Sequence, residues 1–153
     1  EYTRALAPAD KQRVLDQYYV PYRTAVEEAL RAALAEGDAV LHVASHSFTP
    51  VLDGTTRDAD VGLLFDPARP AEAAWAGRWR RSLARFLPGW KIRRNYPYRG
   101  TADGLTTSLR RLFPDPRYAG IELEINQRRA LGTGWQAHVE RLAASLEAAM
   151  SAP

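Results

Sequence analysis

The sequence contains no cysteine. This absence excludes a disulfide framework and any metal site built from thiolates. No apolar run approaches the roughly 20 residues that a membrane-spanning helix needs, and the first residues show no apolar signal-peptide core. A metal ion bound to this chain would therefore have to be held by His, Asp or Glu side chains, and the cytoplasm is the expected compartment.

Lysine is almost as scarce, because Lys11 and Lys91 are the only two in the sequence. Nearly all positive charge is therefore arginine, which suits two-point binding of carboxylates. The net charge is only +3, so the composition does not favour nucleic acid as the main partner. A chain of 153 residues can bury one sizeable core, which predicts a single domain over residues 1–153.

Apolar periodicity predicts the order of helices and strands. Helices are expected at 9–36, 71–86, 101–113 and 135–150, and strands at 39–45, 61–65, 91–94 and 120–127. Pro21 should kink the first helix or start a second one, Gly37 should end it, and Thr133 is a candidate N-cap of the last helix. Helices that alternate with apolar strands predict an α/β fold, layered as helix, sheet and helix, with a mostly parallel or mixed sheet.

A histidine follows the first predicted strand. His46 would open the loop after residues 39–45, where its ring could meet a metal ion or form a local hydrogen bond. His42 falls on the same side of the strand by the period of two, although a packed structural role is expected for it. His138 lies in the last predicted helix, where a surface position is the default expectation.

The predicted strand at 120–127 alternates strictly between apolar and polar side chains. Ile121, Leu123 and Ile125 face one way, and the intervening Glu122 and Glu124 face the other. This pattern is typical of an edge strand with a solvated face, or of a strand that directs a carboxylate into a cleft. In the second case Glu124, nearer the strand's end, is the candidate for a general base beside a metal ion.

Arginines gather in two further stretches. The loop around Asn95, between Arg94 and Arg99, could bind a carboxylate or a phosphate, or could simply be a loop fixed by its tyrosines and proline. A function of another class is also open: a non-catalytic domain that binds nucleic acid or another polyanion. That alternative rests on six arginines: Arg78, Arg80, Arg81, Arg85, Arg93 and Arg94.

Taken together and in order, several segments resemble the N-formylglutamate amidohydrolase family. The segments are Tyr18–Arg23, His46–Pro50, Asp60–Leu64, Asn95–Tyr98, Gly104–Thr106 and Gly120–Gln127. The resemblance spans most of the chain, from about residue 18 to about residue 129. The His-Ser-Phe-Thr-Pro and Glu-Ile-Asn pieces are specific in combination, and neither suffices alone.

The resemblance implies a zinc carboxypeptidase-like, hydrolase-like fold and hydrolysis of an N-formyl amide to formate and an amino acid, typically glutamate. His46 would be a zinc ligand, and Glu124 would activate the attacking water and pass its proton to the leaving nitrogen. Another divalent metal could replace zinc, and a related enzyme could act on a different N-acyl amino acid. The candidates for holding the substrate's carboxylates are Arg57, Arg94, Asn95 and Arg99.

The chain departs from the family pattern at its N-terminal side. Members usually begin with a further strand and loop that carry a metal-binding His and an acidic ligand, and no His precedes His42 here. The resemblance therefore implies an N-terminally truncated member that alone could be inactive, since catalytic zinc needs three protein ligands. A strand left without its neighbour would expose a sheet edge, which favours dimerisation.

Overall fold

The computed structural model describes residues 4–102 and 104–151. The chain divides into two compact units, residues 1–40 and residues 41–153. The first unit is helical, and the second contains the mixed sheet with its covering helices. The single domain expected for the whole chain stays a prediction. Among the described residues, no helix is long and apolar enough to cross a membrane.

The helical unit runs from α1 (Pro8–Val14) through a π-helical turn (Leu15–Tyr19) into α2 (Val20–Glu36). Pro21 stands in the first turn of α2, where its missing N–H is tolerated. Prolines and π-helical turns, such as the one at Leu15–Tyr19, are both common irregularities of long helices. Many apolar side chains of this unit are on the surface, and Tyr18 is 68% exposed.

Six strands follow, and four of them form the main sheet. The strands are β1 (Val40–Phe48), β2 (Val51–Leu52), β3 (Thr55–Thr56), β4 (Val61–Leu64), β5 (Ile92–Arg94) and β6 (Tyr118–Asn126). The sheet order is β1-β6-β4-β5. Strand β4 is parallel to β5 and antiparallel to β6, which confirms the predicted α/β class with a mixed sheet. Strands β2 and β3 form a separate antiparallel hairpin.

Two long helices cover one face of this sheet. They are α3 (Pro70–Phe86) and α6 (Trp135–Met150), which pack against each other. The core includes Ile121, Leu123 and Ile125 from β6 together with Trp79 and Leu83 from α3. The apolar half of the alternating strand is therefore the half that the hydrophobic effect removes from water.

The opposite face carries the shorter helix α4 (Leu105–Leu112). Its Thr106 hydroxyl donates a hydrogen bond to the carboxylate of Glu122, which points away from the core side of β6. The short helix α5 (Gln127–Ala130) begins directly after β6 and is capped by the Asn126 side chain, which accepts from the Arg128 N–H at 3.0 Å. Helix, sheet and helix thus form the three predicted layers of the second unit.

Several boundaries differ from the sequence-based predictions. Strand β1 continues to Phe48, so the loop expected to open at His46 is wrong and His46 lies inside the strand. The N-cap of α6 is Gly134 in a left-handed conformation, not Thr133. Gly37 does end α2, but with an extended backbone in place of the left-handed cap.

Candidate active site

Strand β6 lies inside the sheet, between β1 and β4. The interpretation of its polar face as the solvated side of an edge strand is therefore wrong. Glu124 is only 5% exposed, and its Oε2 atom is buried without a hydrogen-bond partner in residues 4–102 and 104–151. Such a buried, unpartnered carboxylate oxygen is costly and points to a functional role or to an absent ligand.

Burial raises the pKa of Glu124 because a low-dielectric environment disfavours the charged form. The Arg57 guanidinium and the His46 imidazole act in the opposite direction, and the negative charge of Glu122 adds to the increase of the Glu124 pKa. Glu122 lies two residues before Glu124 on the same face of β6, and His46 lies on the adjacent strand β1. The polar face of β6 is therefore the centre of the candidate site.

His46 reaches this face from the neighbouring strand β1. The ring of His42 lies 2.8 Å from the Tyr118 hydroxyl near the start of both strands, and Gln127 donates to the Ser47 hydroxyl at 3.4 Å near their ends. The two strands therefore run side by side in the same direction, which brings His46 level with the Glu124 end of β6. His46 is exposed, so its ring is accessible to a ligand.

His42 has the structural role expected for it. It is half-buried and paired with Tyr118, and burial lowers its pKa while the charge of Glu122 partly opposes that effect. His138 is half-buried in α6, where its ring packs edge-on against Trp90 at a centroid distance of 4.9 Å. Of the three histidines, His46 alone is placed beside Glu124 on the evidence of charge and strand position.

The loop after β5 is held against the sheet at Gly62. Gly62 is the register partner of Glu124, and a Cβ atom at this position would lie 1.8 Å from the Tyr96 carbonyl oxygen and 3.4 Å from the Glu124 Cβ. Only glycine permits so close a backbone approach. Gly62 therefore allows the Tyr96 backbone to border the space beside Glu124.

Asn95 fixes the shape of the same loop. Its backbone is in the left-handed region, with φ of 49°, and its side-chain oxygen accepts from the N–H groups of Phe65 at 3.0 Å and Gly100 at 3.1 Å. This oxygen is already committed to the loop, which favours a structural role over the predicted contact with substrate. Arg94 and Arg99 flank the loop and are exposed, and their role in binding substrate stays a prediction.

Arg57 is the best-placed of the predicted substrate-binding residues. It is 9% exposed, its Nη1 atom donates to the Tyr98 hydroxyl at 3.0 Å, and its guanidinium carbon lies 5.0 Å from the centre of the Tyr98 ring. Its backbone carbonyl accepts a long hydrogen bond of 3.4 Å from Asn126. Because Tyr98 already holds the Arg57 guanidinium in place, this side chain would lose little conformational entropy on binding a carboxylate.

A second polar cluster lies where β4 begins and β6 ends. Asp60, which is buried, accepts hydrogen bonds from Arg129 at 2.8 Å, from Arg128 at 2.9 Å and from the Lys91 N–H at 2.8 Å. Burial acts to raise the pKa of Asp60, but these hydrogen bonds outweigh it and lower the pKa. The cluster ties β4 to the end of β6, where Asn126 also donates to the Ala59 carbonyl at 2.8 Å.

Gly62 and Thr106 were not among the predicted site residues, although both lie in segments that resemble the family, Asp60–Leu64 and Gly104–Thr106. A glycine inside an apolar strand is a signal for close backbone approach, so Gly62 could have been found. The contact between Thr106 and Glu122 depends on how α4 folds back over the sheet, which no local pattern specifies.

Residues 1–131 match the sequence model of the N-formylglutamate amidohydrolase family. The chain belongs to that family. No curated protein matches it.

Two solved structures extend this result to the fold. The gene product Atu2144 from Agrobacterium tumefaciens is 25% identical, with a TM-score of 0.73 over 97% of this chain and 58% of that one. An N-formylglutamate amidohydrolase from Ralstonia eutropha JMP134 is 24% identical, with a TM-score of 0.72 over 96% of this chain and 57% of that one. The chain thus spans under three-fifths of the length of either neighbour, and the likeness to the second one shows the fold alone.

Proposed function

We propose that this chain contributes the catalytic base and one metal ligand to a zinc-dependent amidohydrolase. The substrate would be N-formyl-L-glutamate or a similar N-acyl amino acid, and the products would be formate and the free amino acid. The observation that carries the proposal is the buried carboxylate of Glu124, whose Oε2 has no partner among the described residues and whose strand lies beside the strand that carries His46. Membership of the family supports the reaction class.

Glu124 would act as the general base. A carboxylate whose pKa is raised by burial accepts a proton more readily than an ordinary one. It would take a proton from the attacking water and then deliver that proton to the amide nitrogen as the bond to the formyl carbon breaks. The proton is conserved between the two steps, and Glu124 returns to its starting state.

His46 is the kind of ligand that zinc prefers, but one ligand is fewer than a catalytic zinc site needs. His46 offers an accessible imidazole, which zinc prefers, but catalytic zinc takes three protein ligands. Within residues 4–102 and 104–151 there is no group of three or more His, Cys, Asp or Glu side chains that could hold a metal ion. We therefore propose His46 as one ligand of a set that the described residues do not complete. A bound zinc ion would polarise the formyl carbonyl and lower the pKa of the attacking water.

Arg57 would recognise a carboxylate of the substrate. Its guanidinium is nearly buried and fixed by Tyr98, and its charge reaches Glu124. A substrate carboxylate bound there would place the scissile amide on the same face as the base. Arg94 and Arg99, exposed beside the loop, are the proposed contacts for a second carboxylate, and Asn95 would contribute by holding the loop.

The test is zinc-dependent release of formate from N-formyl-L-glutamate. Glu124→Gln should abolish turnover while metal binding, measured by calorimetry, is retained. His46→Ala should weaken metal binding itself. Glu122→Gln is the matched control, because it makes the same change two residues away on the same face, where the carboxylate already has a partner in Thr106.

The outcomes separate the parts of the proposal. Turnover that survives Glu124→Gln would remove Glu124 from the mechanism. Zinc binding that is equal in His46→Ala and in the unaltered chain would place the metal elsewhere. Loss of turnover in Glu122→Gln as complete as in Glu124→Gln would mean that the face as a whole, and not the one base, is required.

A further inference from the structure

Helix α3 borders a small cavity on the side of the sheet opposite Glu124. The cavity has a volume of about 210 Å³ and is open to solvent on one side. Its lining consists of Arg78, Arg81, Ser82, Arg85, Ala148 and Ala149. Because α3 and α6 cover the apolar face of the sheet, this cavity is separate from the candidate active site.

Three arginines in this cavity have no carboxylate partner among residues 4–102 and 104–151. Arg78, Arg81 and Arg85 recur at intervals of three and four residues, so they project from one side of α3. Among the described residues, none of these three arginines pairs with a carboxylate, and none of the residues that line the cavity is acidic. Like charges this close repel each other unless an anion lies between them.

Two polar atoms at the cavity also lack partners. The Nε of Arg78 and the hydroxyl of Ser82 are both buried and form no hydrogen bond with any residue that the structure describes. Arg78 is held in place by stacking, with its guanidinium carbon 4.2 Å from the centre of the Trp75 ring. Buried donors without acceptors are rare in native proteins and often mark the place of an unseen ion or water.

We propose that Arg78, Arg81, Ser82 and Arg85 form a binding site for a phosphate group, free or as part of a small phosphomonoester. Tetrahedral oxygens can accept from several arginines and from a hydroxyl at once, as arginine–phosphate pairs do. The small size of the cavity suits a compact anion. Arg80 projects from a different side of α3, and neither Arg93 nor Arg94 lines the cavity, so the proposed site is distinct from the polyanion surface that the six arginines could form.

The experiment is calorimetric titration of the chain with inorganic phosphate and with glycerol phosphate, at constant ionic strength. One-to-one, saturable binding is expected for at least one of the two, and the stronger ligand identifies the source of the phosphate group. Arg81→Gln/Arg85→Gln should weaken it by about tenfold or more, since charge-assisted hydrogen bonds are lost. Arg80→Gln is the matched control on the same helix and should bind as the unaltered chain does.

Three results would overturn the proposal. Absence of saturable binding by either probe would show that no site exists. Equal weakening by Arg80→Gln and by the double variant would show a diffuse charge effect. A single-stranded oligonucleotide whose binding depends on Arg80, Arg93 and Arg94 as much as on the cavity arginines would assign the surface to nucleic acid instead. Each readout is binding and not turnover, so it is independent of the proposed hydrolase activity.

Discussion

Glu124→Gln should make the metal-free chain more stable while it removes catalysis. The substitution keeps the shape of the side chain and deletes a charge that is 5% exposed and has an unpartnered oxygen. Leaving a buried polar group unsatisfied costs about 1–3 kcal/mol. Because the new amide would still lack some partners, we expect a gain at the lower end, about 1 kcal/mol, which raises the melting temperature of a chain of this size by roughly 3 °C.

The pH dependence of this difference gives a second check. Since burial raises the pKa of Glu124 in the folded chain, the native state holds its proton to higher pH than the unfolded state does. The stability of the unaltered chain should therefore fall as pH rises above the ordinary glutamate value of about 4.3. The advantage of Glu124→Gln should be absent well below that pH and complete above the raised pKa.

Tryptophan fluorescence during urea unfolding is a suitable assay, because all four tryptophans belong to the unit that holds the site: Trp75, Trp79, Trp90 and Trp135. Glu122→Gln is the control and should change stability little, since a glutamine oxygen can still accept from Thr106. If Glu124→Gln is less stable than this control at pH 7.5, then Glu124 has a partner in solution and the reasoning from its unpartnered oxygen is refuted.

Three further predictions follow from other buried groups. Glu72 is fully buried and paired with Arg110 at 2.9 Å, so Glu72→Ala should lower the free energy of unfolding by about 3–5 kcal/mol in urea titrations. Gly62→Ala should force the neighbouring loop away from the sheet, destabilising the chain by about 1–3 kcal/mol and raising KM in the formate assay. His42 has its pKa lowered by burial, so its stabilising effect should be full above the unfolded value of about 6.5 and lost as pH falls below it. His42→Gln should flatten that dependence in thermal melts between pH 5 and pH 8.

Apolar periodicity predicts the bounds of an element best when one face of that element is buried in the core. Helix α6 has the predicted bounds and β6 is shifted by one or two residues, because both place apolar side chains in register against the same core. Helix α4 is shorter than predicted, beginning at Leu105. The hairpin of β2 and β3 was not among the predicted elements, since two-residue strands leave no periodic signal.

The Glu124 carboxylate was predictable because β6 alternates between core side chains and polar side chains. Alternation along β6 sends Ile125 to the core and Glu124 to the opposite face, so the sequence indicated a carboxylate but could not distinguish an edge strand from a central one. That distinction depends on the pairing of β6 with both β1 and β4, a long-range property. The role of Arg57 also depends on long-range contact, because Tyr98 stands 41 residues away.

Glu124 differs from the other buried acids of the second unit in its hydrogen bonding. Elsewhere in the second unit, buried carboxylates are well supplied: Glu72 has Arg110, and Asp60 has Arg128 and Arg129. Glu124 lies on β6, and the side chains that influence its pKa are His46, Glu122 and Arg57. Among the described residues, however, no donor reaches its Oε2. The role of general base that we propose for Glu124 requires such a free oxygen, because it must accept a proton from the attacking water. On that proposal, the cost in stability and the catalytic role would both follow from the same unmade hydrogen bond.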